Sequence, residues 1–176
     1  MSYRCEQAMR ITVAYLPAGS HNADMDTAPK LDSHADALGN AAFLWSEARL
    51  IIAAVALVVG SPPLLLFFPI APIYGLLVLS VKLSWIVSGA ASLYLLYRWS
   101  GAKWYVFGKA GRNDVIAFII MIVSGMNLGV TGIIQVNPGL TFFSGYMFSL
   151  IAAVAYVWAA YRLYLAWDAS GRRVFL

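Results

Sequence analysis

The sequence VIAFIIMIVSGMNLGVTGII, from Val115 to Ile134, decides the fold of this chain. It contains no charged residue, and at about 1.5 Å per residue an α-helix of this length crosses the roughly 30 Å hydrocarbon core of a bilayer. A backbone in hydrocarbon must satisfy its own hydrogen bonds, and a helix does so within a single segment. The stretch therefore predicts a transmembrane helix.

Three further apolar stretches run from Leu50 to Phe68, from Tyr74 to Tyr97 and from Phe142 to Leu165. None of the four stretches contains Asp, Glu or His. The chain is 61% hydrophobic and only 11% charged, whereas soluble domains carry about 25% charged residues. We therefore expect an all-α integral membrane protein with four transmembrane helices, and its 176 residues leave no room for a second globular domain.

Charge in the connections predicts the topology. Arg98, Lys103, Lys109 and Arg112 surround the link between the second and third stretches, whereas the turns 69–73 and 135–141 carry no charge. Because basic loops stay in the cytoplasm, both termini are placed inside. The predicted location is the inner membrane of a bacterium.

This topology divides the chain into five segments. They are a polar N-terminal segment at 1–46, a first hairpin at 47–99, a basic cytoplasmic loop at 100–113, a second hairpin at 114–168 and a cytoplasmic tail at 169–176. The N-terminal segment is either a disordered tail or, from Asp36 onward, an amphipathic lead-in that lies in the membrane interface.

The two hairpins resemble each other. In each, a helix is followed by an uncharged turn with proline and by a returning helix that ends on Tyr-x-x-Tyr and a tryptophan. These residues are Tyr94, Tyr97 and Trp99 in the first half, and Tyr161, Tyr164 and Trp167 in the second. An internal duplication is predicted, with both halves running in the same sense and not inverted as in many transporters.

The segment Ser124-Gly-Met-Asn-Leu-Gly-Val-Thr-Gly132 resembles the signature G-A-L-N-W-G-L-x-G of a family of small, uncharacterised bacterial two-helix membrane proteins. The segment from Lys82 to Tyr94 is similar to the returning helix of that family. Leu128 replaces the tryptophan of the signature, and the first hairpin has Ser61-Pro-Pro63 in place of Asn-x-Gly. Because that family has no established activity, the resemblance implies a duplicated two-helix fold and does not indicate a function.

Small residues mark two candidate helix-packing faces. On the third stretch Gly125, Gly129 and Gly132 flank Asn127, and such faces let helices approach closely. Asn127 is expected to add a hydrogen bond between helices. The sequence leaves open whether the facing helix belongs to this chain or to another subunit.

Four serines on the second stretch form the other face. Ser80, Ser84, Ser88 and Ser92 recur at every fourth residue and so line one side of a helix. They predict either a packing surface or the wall of a polar path.

Two features have alternative interpretations. Lys82 either extends its side chain to the interface or contacts an ion or a lipid headgroup. Pro62 and Pro63, in the middle of the predicted first span, either kink the helix or mark a functional break.

The remaining polar residues predict no catalytic, cofactor or metal site. Both histidines, His21 and His34, lie in the polar N-terminal segment, and Cys5 is the single cysteine. No basic tract suggests nucleic-acid binding. We expect a non-enzymatic packing or assembly subunit of a homo-oligomer or larger membrane complex, with the bilayer and other subunits as partners. The alternative is a channel or small-solute carrier lined by the serine face and Asn127.

Overall fold

A computed structural model describes residues 28–67, 71–108, 111–142 and 145–175, and this part of the chain is helical and without β-strands. Four of its helices are long and apolar enough to cross a membrane. The predicted all-α fold, with four helices able to cross a membrane, is therefore confirmed. The long helices are α1 (Ala28–Val59), α3 (Tyr74–Gly101), α4 (Arg112–Ile134) and α6 (Tyr146–Ala169), and the short ones are α2 (Pro63–Phe67) and α5 (Pro138–Phe142).

The first span begins and ends earlier than predicted. The candidate span runs from His34 to Val59, where the sequence indicated Leu50 to Phe68. α1 stops because Gly60 adopts a φ of +81°, and the prolines after it cannot continue a helix. Pro63 opens α2, since a first helical position needs no amide donor. Pro62 and Pro63 therefore form part of a turn and neither kink nor break the span.

Residues 28–46, predicted as part of a polar segment, belong to α1. Residues 1–27, which include Cys5 and His21, lie outside the described residues. The shifted span now contains His34, Asp36 and Glu47. The expectation that no span carries an acidic residue or a histidine was therefore wrong.

The long helices form an antiparallel ring in the order α1, α3, α4, α6. Two hydrogen bonds join α1 to α3. The Tyr94 hydroxyl donates to the Ala35 carbonyl at 3.2 Å, and the Trp45 indole N–H donates to the Ser88 hydroxyl at 3.1 Å. Because the later residue of α1 bonds to the earlier residue of α3, the two helices are antiparallel. α6 closes the ring through an ion pair from Arg162 to α4 and contacts along α1. We call the end with residues 60–67, 71–73 and 135–142 the turn end, and the opposite one the loop end.

Aromatic side chains close the loop end. The ring of Phe43 packs edge-on against Phe107 at a centroid distance of 5.6 Å, and Trp99 packs likewise against Phe118 at 5.3 Å. The Phe107 amide donates to the Val174 carbonyl at 2.9 Å, which ties the loop after α3 to the C-terminal tail. Because edge-to-face rings fill space with defined geometry, this end of the bundle is well packed.

The closest helix approach joins α3 to α4 at two glycines. A Cβ atom placed on Gly89 would lie 2.7 Å from the Cα atom of Gly129, and the reverse distance is the same. No side chain fits at such a separation, so only glycine permits this crossing.

We predict that Gly89→Ala destabilises the bundle, because the added methyl group forces the α4 backbone away. Overpacking of this kind costs about 1–3 kcal/mol. Gly75→Ala is the matched control in the same helix, since no atom lies within 4 Å of a Cβ at Gly75. Thermal unfolding in mild detergent measures both, and equal melting temperatures for the two variants would contradict the close approach.

Candidate functional site

The predicted serine face passes from the bundle surface to its interior. Ser80 is exposed, Ser84 is half-buried, and Ser88 and Ser92 are buried. The first three hydroxyls donate to carbonyls of their own helix, at 2.8 Å to Leu76, 2.7 Å to Val81 and 2.6 Å to Ser84. Since each of these donors is already used within α3, these contacts give the hypothesis of a polar path no support.

The predicted glycine face lies against α3 of the same chain. A Cβ on Gly132 would meet Ile86 at 3.0 Å and Trp85 at 3.1 Å, and Gly129 faces Gly89. Gly125 faces Ser92. The structure thus brings both small-residue faces together inside one molecule.

Asn127 bonds to the turn after its own helix and not to a neighbouring span. Its amide nitrogen donates to Asn137 Oδ1 at 2.9 Å, and its Oδ1 accepts the Gly139 amide, also at 2.9 Å. The Gly139 amide is one of the first donors of α5, which has no intrahelical partner for it. Asn127 therefore fixes the conformation of the turn between α4 and α6.

Lys82 lies on α3, eight residues beyond Tyr74 and hence about 12 Å from the turn end. It is half-buried, and none of the ion pairs in the described part of the chain involves it. A lysine stem can cover a large part of this distance towards the membrane surface. The position is compatible with the predicted extension to the interface.

Sequence analysis missed the most unusual polar site, which lies on α1. Phe43, Ser46, Glu47, Leu50 and Ala54 follow helical spacing, and all are buried. Arg49, at the edge of this face, is only 6% exposed, and Glu47 is only 8% exposed. Both ionisable residues therefore lie inside a membrane-spanning bundle, where such residues are rare and usually functional.

The Arg49 guanidinium reaches across the bundle to α4. It donates to the Ser124 hydroxyl at 3.0 Å and to the Met121 carbonyl at 2.7 Å. Arg49 is ten residues from the end of α1 at Val59, or about 15 Å along the helix, which is near the middle of a core roughly 30 Å thick. A positive charge is thus held at mid-membrane depth.

All four long helices surround this charge. A Cβ on Gly125 would lie 3.0 Å from Arg49 Cζ on one side and would collide with the Ser92 hydroxyl oxygen on the other. Tyr156 of α6 lies near the guanidinium. We refer to Arg49, Ser46, Ser92, Ser124 and Tyr156 as the arginine centre.

Three polar atoms of the arginine centre have no hydrogen-bond partner among the described residues. They are Arg49 Nε, Ser46 Oγ and Ser92 Oγ. Glu47 Oε2, which lies outside the centre, also has no hydrogen-bond partner among these residues. The ion pairs in that part of the chain join Arg98 to Asp36, Arg162 to Asp114 and Arg172 to Asp168. None of them neutralises Arg49.

A sequence signal for this site did exist. The apolar spacing of Phe43, Leu50 and Ala54 continues on both sides of Glu47, so a helical wheel, unlike a search for apolar stretches without acidic residues, includes the charged residues in the span.

A lateral groove runs along the surface between α1 and α6, on the side of the bundle away from the glycine crossing. Its volume is about 590 Å³, within the range of about 300–1,000 Å³ typical of ligand pockets. Ala54 and Ala153, each 3% exposed, are its most buried residues. The other lining residues are Ile51, Val55, Val58, Val59, Leu150, Val154, Val157, Trp158 and Tyr161.

The described residues contain no group of three His, Cys, Asp or Glu side chains that could hold a metal ion. In comparisons with known proteins, the chain matches no protein family, no curated sequence and no solved structure.

We predict that Ser124→Ala lowers the free energy of unfolding by about 1–2 kcal/mol, because it leaves a buried guanidinium N–H without its acceptor. Ser80→Ala is the control, since that hydroxyl is exposed and bonds only to its own helix. The measurement is thermal unfolding in mild detergent. If Ser124→Ala and Ser80→Ala have equal melting temperatures, the hydrogen bond from Arg49 does not hold α1 to α4.

Proposed function

We propose that this protein is a non-enzymatic assembly subunit of the membrane, and that it binds a transmembrane helix of another subunit in the groove between α1 and α6. The observation that carries the proposal is the groove itself, because α3 and α4 meet directly at two glycines and aromatic rings fill the loop end of the bundle. Its lining residues are almost wholly apolar, so its occupant must be apolar as well.

The small-residue faces do not serve this purpose, since Gly129 and Gly132 already face α3 within the chain. The groove offers another place where a helix can approach closely. Ala54 and Ala153 form its floor, and small side chains at a floor allow van der Waals contact with an incoming helix backbone.

A second copy of this chain is the partner we favour. Its α3 presents an apolar ridge of exposed side chains, with Leu76, Leu79 and Leu83 each more than half exposed. Ridges of this kind pack into helix grooves. Because the ridge and the groove are different surfaces, such contacts are head-to-tail and close into a ring when the rotation permits.

The topology belongs to the same proposal. Arg98, Lys103, Arg112, Arg172 and Arg173 all lie at the loop end, whereas the charge nearest the turn end in the described residues is Lys82. The distribution of basic residues supports a cytoplasmic loop end in a bacterial inner membrane.

We expect a reporter fused after Arg112 to be active only in its cytoplasmic form, because the basic loop stays inside. A reporter fused after Asn137, in an uncharged turn, should be active only in its external form. Enzyme activity in intact cells measures both, and the opposite pattern would reverse the topology.

We expect Val154→Trp to dissociate the oligomer, because the indole fills the groove that receives the partner helix. Val123→Trp on α4 is the matched control: Val154 is 65% exposed and Val123 is 59% exposed, so neither change disturbs the core of the bundle. The mass of the complex in mild detergent measures assembly. An unmodified protein with the mass of a single chain, or equal dissociation by both variants, would contradict the proposed homo-oligomer.

A further inference from the structure

We propose that the arginine centre binds a small monovalent inorganic anion of the halide class, coordinated by Arg49 Nε–H and by the hydroxyls of Ser46 and Ser92. These three groups are buried and have no hydrogen-bond partner among the described residues. Each can donate a hydrogen bond to an anion.

Arg49 carries a buried charge. Arg49 is 6% exposed at mid-membrane depth, and an ionised group in a medium of low dielectric constant is stable only when it is paired. The Met121 carbonyl and the Ser124 hydroxyl supply dipoles and no negative charge. The guanidinium therefore still requires a counter-charge.

The protein groups near Arg49 do not supply that charge. Glu47 is two residues away in α1, or about 200° around the helix, and so lies at the opposite edge of the buried face, on the side of Ala54 and the groove. It forms no ion pair with Arg49. Tyr156 offers a phenol, which is a hydrogen-bonding dipole and not an anion near neutral pH.

The two unpartnered hydroxyls lie on the same side as the Arg49 guanidinium. Ser92 faces the guanidinium across Gly125, where a Cβ would approach both side chains. Ser46 precedes Arg49 by three residues and so lies on the same side of α1, one turn away. Ser46 and Ser92 are both 0% exposed. Buried hydroxyls without a partner are rare in folded proteins and require an explanation.

The space at Gly125 limits the size of the ion. A methyl group has no room there beside Ser92, so a bulky organic anion does not fit among α1, α3 and α4. An ion held at this site has to shed its water, and the fixed N–H and O–H donors replace its hydration.

The test uses the full chain in mild detergent, with chloride replacing gluconate at constant ionic strength. Thermal unfolding is followed across the titration, since a ligand that binds only the folded state raises the melting temperature in a saturable way. We expect such a rise with chloride, an equivalent rise with bromide, and none with sulfate. An unchanged melting temperature in chloride, or an equal rise with sulfate, overturns the proposal.

Variants assign the effect to the site. Ser92→Ala removes a hydroxyl that bonds to no described residue, so this variant should fold, and we expect its apparent dissociation constant for chloride to rise at least threefold. Arg49→Gln should abolish the chloride dependence, whereas Lys82→Gln should retain it. A chloride response that is unchanged in Ser92→Ala, or lost equally in Lys82→Gln, places the anion elsewhere and refutes the assignment.

Discussion

The guanidinium of Arg49, held by the Met121 carbonyl and the Ser124 hydroxyl of α4, is the constraint on which the rest of the bundle depends. A charge at this depth is tolerable only when polar groups reach it from several sides. This requirement draws α1 against α3 and α4 and leaves no room for a side chain at residue 125. The glycine face of α4 thus serves two purposes: Gly125 admits the charged group, and Gly129 admits the backbone of α3.

The two sides of the helix ring differ in how tightly they are packed. On the α3–α4 side, backbones meet at two glycines with no space between them. On the α1–α6 side, Phe43 and Trp167 meet near the loop end with ring centroids 5.9 Å apart, and towards the turn end the helices leave a groove of about 590 Å³. The groove thus lies in the half of the α1–α6 interface that is nearer the turn end.

Much of this architecture was predictable from the sequence, and the errors share one physical cause. The apolar stretches located α3, α4 and α6 to within a few residues, because a bilayer selects apolar segments of a fixed length. The same criterion displaced α1, since the predicted stretch began at Leu50 and left out Glu47 and Arg49. They lie inside it because other helices, and not lipid, surround them. Asn127 was likewise assigned to a neighbouring helix, whereas its partners lie in the turn after its own. Sequence periodicity indicates on which face of a helix a residue lies, but it does not identify the group that the residue contacts.

The separation in sequence between Arg49 and its acceptors has a consequence for biogenesis. Ser124 follows Arg49 by 75 residues, so α1 leaves the ribosome long before the groups that receive its charge. A central arginine opposes insertion of a lone helix by about 2.5–3.5 kcal/mol. α1 therefore carries a charge without its acceptors until α4 has been synthesised. The order of synthesis makes α4 the element that supplies the hydrogen bonds of this charge.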